Sequence, residues 1–163
     1  TFLEMTERPN YPRPALPSGA PAALLHAVKP PTRYFLSLYD AVGSEYHWLD
    51  MHELPADELT DFVQDEKVEL YTLIRDGWPA GFFMLDRRTA EICDIAYFGL
   101  VPEAIGLGLG TYMLHTAIHM AWDGEDTKTV TVNTCTLDHP RALGTYQKAG
   151  FEPVKQEQRS RKG

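Results

Sequence analysis

From Val68 to Val101 the apolar and β-branched residues come in runs of strand length, and from Gly108 to Trp122 they recur every three or four positions, so strands feed a helix. Val68 to Arg75 and Trp78 to Leu85 are β-rich and separated by Asp76-Gly77, a pair suited to the two-residue turn of a hairpin. After a polar break at Asp86 to Thr89, Glu91 to Val101 forms a third strand, ended by Pro102, which has no N–H to continue a ladder. Gly108 to Trp122 places Met113, Leu114, Ala117, Ile118 and Ala121 on one face, and Gly124 follows where the helix stops. Thr129 to Leu137 alternates as a strand. Asp138-His139-Pro140 opens a second helix that reaches Ala149 before Gly150, and the polar tail Lys155 to Gly163 is expected to fray.

The first third is less regular. Thr1 to Thr6 reads as a short strand, and Pro9, Pro12, Pro14, Pro17 and Pro21 then fix φ and remove donors, giving an extended arm or linker. Pro30 and Pro31 close an apolar segment, Ala22 to Val28. Tyr34 to Val42 is a helix with Phe35, Leu38, Tyr39 and Val42 on one side, and Pro55 to Asp65 another, with acids near its positive end and Leu59, Phe62 and Val63 at helical spacing. Between them Ser44 to Leu49 is an aromatic loop that either lines a pocket or caps the core.

At 163 residues the chain has the length of one domain, spanning 1–163, with a strand and arm over 1–30. A net charge of −8 argues against general nucleic-acid binding; it favours a cationic partner modestly and otherwise keeps the protein in solution. Cys93 and Cys135 sit in apolar strand-like stretches without Cys-x-x-Cys spacing, which fits a reducing cytoplasm. No apolar run is long enough to cross a membrane, and the opening TFLEMTERP lacks the basic-then-apolar pattern of a secretory leader. The arm is a candidate contact for a homodimer.

Chemistry concentrates where the third strand meets the helix. Gly106, Gly108 and Gly110 put side-chain-free amides at the positive end of a helix dipole, which makes an anion cradle. A dinucleotide fingerprint fails because Thr111 holds its last glycine position, and a nucleotide-hydrolase loop fails because no lysine occurs between Glu103 and Trp122. Glycines that serve only close helix-to-strand packing are the structural alternative.

With Pro102 just ahead of it, Ile105-Gly106-Leu107-Gly108-Leu109-Gly110 resembles the Arg/Gln-x-x-Gly-x-Gly/Ala turn of the GNAT-type N-acetyltransferases, departing from it at Ile105 and carrying Leu107 where a basic residue is common. His139-Pro-Arg-Ala142-Leu-Gly-Thr-Tyr146-Gln-Lys-Ala-Gly150-Phe151 resembles that family's Asn-x-x-Ala-x-x-x-Tyr-x-Lys-x-Gly-Phe, with His139 in place of Asn. The resemblance covers Val68 to Phe151. It implies an α/β (α+β) fold, a mixed, largely antiparallel sheet of six to seven strands flanked by helices, with 68–151 as the acetyl-CoA-binding core.

It further implies that acetyl-CoA is the co-substrate, held at Ile105, Gly106, Leu107, Gly108, Leu109, Gly110 and Thr111. Leu100 and Val101 end a strand whose free backbone pairs with the pantetheine arm, and Tyr146 flanks the cofactor as general acid. Asp94 stands where relatives that use a carboxylate base carry Glu.

The chemistry needs such groups. A free lysine-like amine, with a pKa of about 10.4, must lose a proton before it can attack, at a cost of about 4 to 5 kcal/mol near neutral pH. Asp94, one carbon shorter than Glu, would act through water; its alternative is an acid on an exposed sheet face, with Glu91 and Tyr97 as alternates. Tyr146 could equally be a core tyrosine with a satisfied hydroxyl. Phe98-Gly99 is read as a bulge.

His115 and His119 have metal-ligand spacing, but Thr116 replaces the glutamate of the zinc-protease motif, so no metal site is expected. Cys135 reads as a small buried hydrophobe. The acceptor is a small-molecule or peptide amine, and a catalytically weak acyl-CoA-binding module is the alternative to an enzyme.

Overall fold

The computed structural model describes residues 1–43, 48–133 and 141–155. Its elements are β1 (Phe2–Met5), β2 (Ala22–Ala27), α1 (Thr32–Gly43), α2 (Ala56–Gln64), β3 (Val68–Arg75), β4 (Trp78–Asp86), β5 (Ile92–Leu100), α3 (Leu109–Trp122), β6 (Thr129–Asn133), α4 (Ala142–Lys148) and β7 (Glu152–Lys155), with 3-10 turns at Asp50–Glu53 and Pro102–Ala104. They form a seven-stranded sheet in the order β2-β3-β4-β5-β6-β1-β7. Every neighbouring pair is antiparallel except β5 with β6. The expected mixed, largely antiparallel sheet flanked by helices is therefore the one observed.

Alternation along β4 sorts the two layers, because adjacent strand residues point to opposite faces. Phe82 meets Phe35 of α1 edge to face at 6.3 Å, while its neighbour Phe83 stacks on Tyr71 at 5.2 Å. The Tyr71 hydroxyl donates to Glu69, Glu69 pairs with Arg87, and Arg87 donates to the Met120 and Ala121 carbonyls at the end of α3. Helices α1 and α2 thus cover one face and α3 the other. Phe35, Leu38, Tyr39 and Val42 of α1 and Met113, Leu114, Ala117, Ile118 and Ala121 of α3 are buried, the faces their spacing predicts.

The Asp76-Gly77 hairpin forms with φ of 53° and 86°, the paired positive values of a tight turn matched to strand twist. Other expectations are corrected. Ala22 to Ala27, read only as an apolar segment, is an edge strand paired with β3. β7 went unread because Glu-Pro-Val-Lys carries no β pattern by itself; β1 supplies its partner. The bulge lies at Ala96, where the β4 register steps from Tyr97 to Ile95, and not at Phe98-Gly99. Gly99 is needed for another reason: a Cβ there would stand 2.3 Å from Cγ1 of Val42, so the glycine lets α1 close on the sheet.

The proline-rich segment is no linker. Tyr11 stacks on His115 of α3 at 4.1 Å and donates its hydroxyl to the Ala149 carbonyl, and Arg8 reaches His119 and Asp123. His115 and His119 thereby serve the arm. The expected strand beyond Asn133, the opening Asp138 to Pro140 with His139, Cys135, Ser44 to His47 and the tail from residue 156 lie outside the described residues.

Candidate active site

Strands β5 and β6 run parallel from Ile92↔Thr129 to Ile95↔Val132, where the ladder ends among the described residues. β5 continues to Leu100, still paired to β4 on its other edge, while Asn133 of β6 turns to Phe2 of β1. The Ala96 bulge increases local twist at the point of separation. Phe98 to Leu100 therefore present a strand edge with no β6 partner among the described residues, available to a ligand carrying amides.

The opening leads into a cleft of about 480 Å³. One wall is Phe98, Gly99 and Leu100 of β5; the turn Ile105, Gly106, Gly108, Leu109, Gly110 and Thr111 closes one end; Arg141, Ala142, Thr145 and Tyr146 of the α4 segment form the opposite wall; Val42 and Trp48 reach in from the α1 side. Gly106 and Gly108 have φ of 89° and 77°, and a Cβ on either would meet nothing within 4 Å, so their backbones stand open. Gly108 starts α3, and no side chain caps that end. Its first amides and the helix dipole suit an anion.

Tyr146 is 7% exposed, its ring edge-on to Phe98 at 6.4 Å and to Phe151 at 6.0 Å. The Tyr-x-Lys-x-Gly-Phe pattern has a physical meaning here. Gly150, at φ 112°, ends α4 in the left-handed conformation; its N–H donates to the Gln147 carbonyl and the Phe151 N–H to that of Tyr146. This C-terminal cap folds Phe151 back onto Tyr146 and fixes its backbone.

Of the residues singled out from sequence, Leu100, Ile105, Gly106, Gly108, Leu109, Gly110, Thr111 and Tyr146 line the cleft together. Val101 does not; it is buried and donates its N–H to the Ala80 carbonyl. Leu107 projects at 45% exposure. Glu91 precedes β5 and pairs with Lys128 at 3.2 Å. Cys93 is buried, which pushes its thiol up to about 12.

Asp94 stands on β5 just before the split, outside the cleft lining, and accepts a 2.7 Å bond from the Thr131 hydroxyl. Burial raises its carboxyl above the ordinary value of 3.8; the Thr131 bond opposes this, and the charge of Asp86, its cross-strand neighbour, adds to it. Between the unfolded and the folded value the native state therefore holds a proton that the unfolded chain has lost. Stability from the protonated acid is full below the unfolded value and is lost as pH rises through the higher folded one. Asp94→Asn, which keeps an acceptor for Thr131, is expected to raise the melting temperature at pH 8 by about 3 °C. The gain should vanish toward pH 3, as melts of both proteins across pH would show.

The sequence did not point to Val42, Arg141 or Thr145. Arg141 and Thr145 lie a helical turn apart beside Ala142 and Tyr146, the only signal that could have found them. From the aromatic loop, Trp48 does line the cleft. Its ring lies 5.5 Å from Tyr39 and 5.7 Å from Tyr97, and both tyrosine hydroxyls donate to Asp50. Among the described residues no group of three His, Cys, Asp or Glu could hold a metal ion, and no helix is long and apolar enough to cross a membrane.

Residues 35–151 match the family described as the acetyltransferase (GNAT) family, a stretch that reaches back well before Val68. In three dimensions the chain is similar to an aminoglycoside acetyltransferase from an uncultured soil metagenomic sample, with TM-score 0.62 at 12% identity over 86% of this chain and 93% of that one. It is similar also to an aminoglycoside N-acetyltransferase in complex with CoA, with TM-score 0.62 at 14% identity over 91% and 99%. An IAA acetyltransferase from Bacillus cereus ATCC 14579 gives TM-score 0.63 at 18% identity over 83% and 79%. At these identities the likeness is one of fold. No curated protein matches the sequence.

Proposed function

The chain belongs to the acetyltransferase (GNAT) family, and from that premise we propose that it moves an acetyl group from acetyl-CoA to the nitrogen of a primary amine by direct attack. Support comes from one junction of the molecule, where Phe98 to Leu100 of β5, the glycine turn and Tyr146 line one cleft. The β5 edge from Phe98 to Leu100 suits the amides of pantetheine, and the amides around Gly106 to Thr111 match a diphosphate. Residues present thus fit the co-substrate.

Acetyl-CoA, when bound, supplies an acyl carbon activated as a thioester. The backbone near Leu100 polarises its carbonyl, which places a donor where oxyanion charge develops. Asp94 takes up, through water, the proton that the amine nitrogen sheds as the C–N bond forms. Tyr146 gives its phenolic proton to sulfur as the C–S bond breaks, so an N-acetyl amide and the CoA thiol leave and solvent returns the proton from Asp94 to Tyr146.

Thiol release from acetyl-CoA over a panel of amines tests this. Amine-dependent release supports it; tight CoA binding with no release on any amine would sink it. The grip on phosphate has a further consequence. Ile105 is 51% exposed but apolar, and among the described residues that line the cleft only Arg141 carries a charge. Arg141→Ala is therefore expected to raise KM for acetyl-CoA about tenfold, with kcat changed less than about twofold. Arg141→Lys should recover part of the loss, and initial rates against acetyl-CoA at saturating amine decide it.

A further inference from the structure

We propose that Asp50 anchors a second cationic group on the acceptor, so that the substrates are amines carrying another ammonium beyond the one that reacts; this rests on the acetyl-transfer reading above. Asp50 opens the 3-10 turn that follows Trp48 and Leu49. One carboxylate oxygen accepts the Tyr39 hydroxyl and the other accepts that of Tyr97 at 3.0 Å. Tyr39 is fully buried, and its oxygen also accepts the Met51 N–H at 3.4 Å, which commits its proton to Asp50. The carboxylate is thus held in one orientation before any ligand arrives.

No lysine, arginine or histidine among the described residues pairs with Asp50, although Asp40 of α1 pairs with His52. Asp50 is exposed, so a cation from solvent can reach its carboxylate. Beside it Tyr39, Trp48 and Tyr97 form a cluster with every pair of ring centroids within 5.7 Å. An ammonium there gains an ion pair together with aromatic faces.

Position links this anchor to the reacting centre. Trp48 lines the cleft, and Tyr97 lies on the split part of β5, about 7 Å along the strand from Gly99 of the cleft wall. The Ala96 bulge is what brings Tyr97 onto the face that carries Asp94 and Gly99. The attacking nitrogen must be uncharged, so the ammonium on Asp50 is a different one. A net charge of −8 steers such dications toward the protein.

The test compares thiol release with 1,3-diaminopropane, 1,4-diaminobutane and 1,6-diaminohexane against the n-alkylamines of the same lengths. In the native protein at least one diamine should exceed its monoamine in kcat/KM by about tenfold or more. Asp50→Asn should abolish that ratio without changing KM for acetyl-CoA, and Asp50→Glu should restore part of it. Equal rates for diamines and monoamines, or an equal loss for both in Asp50→Asn, would overturn the anchor while leaving acetyl transfer standing. If no amine is turned over, titration calorimetry of 1,4-diaminobutane into the CoA-saturated protein decides alone. Binding weakened about tenfold by Asp50→Asn upholds the anchor; identical binding, or none, refutes it.

Discussion

Tyr146→Phe is expected to lower kcat by about 10²- to 10³-fold, the range of a lost general acid, and to change KM for acetyl-CoA less than about threefold. The substitution removes the phenolic oxygen and keeps the ring. Phe fills the same space between Phe98 and Phe151, and the cap that fixes the end of α4 is made by backbone groups alone. Stability should move by less than about 1 kcal/mol. Two measurements separate acid catalysis from packing. Single-turnover rates should fall as far as kcat does, and the deficit should shrink with an acetyl thioester of a more acidic thiol, which leaves without help. A kcat within about threefold of the native value would remove Tyr146 from the chemistry.

On stability the largest effect belongs to Arg87. Its guanidinium pairs with Glu69 at 2.7 Å and donates to the Met120 carbonyl at 2.8 Å, the Ala121 carbonyl at 3.0 Å and the Thr127 hydroxyl at 3.2 Å. It thus satisfies the last carbonyls of α3 while tying that helix to β3. Arg87 and Glu69 are each 22% exposed, so Arg87→Met leaves a largely buried carboxylate and two helix-end carbonyls without their donor. The expected loss is about 3 kcal/mol, or about 6–12 °C in melting temperature. In a double-mutant cycle Glu69→Gln should recover at least about 1 kcal/mol of it. A melting temperature within about 2 °C of native would show that the network is not what joins α3 to the sheet.

Local pattern made the central part of the fold legible. The β3–β4 hairpin, α3 and the Gly150 stop depend on neighbours a few residues apart, and each formed where its residues placed it. β2 and β7 depend on partners elsewhere: Ala22 to Ala27 needs β3, and Glu152 to Lys155 needs β1. The bulge is not legible locally, because Ala96 makes it without a glycine to mark it, and Gly99 answers instead to Val42. The turn and Tyr146 were visible because each lies in a compact motif. Asp50 looked like any exposed acid; its tyrosine partners stand 11 and 47 residues away, and only folding brings three rings around it.

The place of β1 governs how the molecule comes together in time. Its four residues run between β6 and β7, pairing Met5 with Val130 and Phe2 with Lys155. The β3–β5 meander closes through short connections, but seating β1 on β6 closes a loop of more than a hundred residues, an entropic cost of about 4 kcal/mol. The half that carries Tyr97 and the glycine-turn strand can therefore condense early. β6 gains its second edge only when the two ends of the chain meet, so the cleft beside it is the last part of the protein to acquire its shape and the first to lose it when the ends separate.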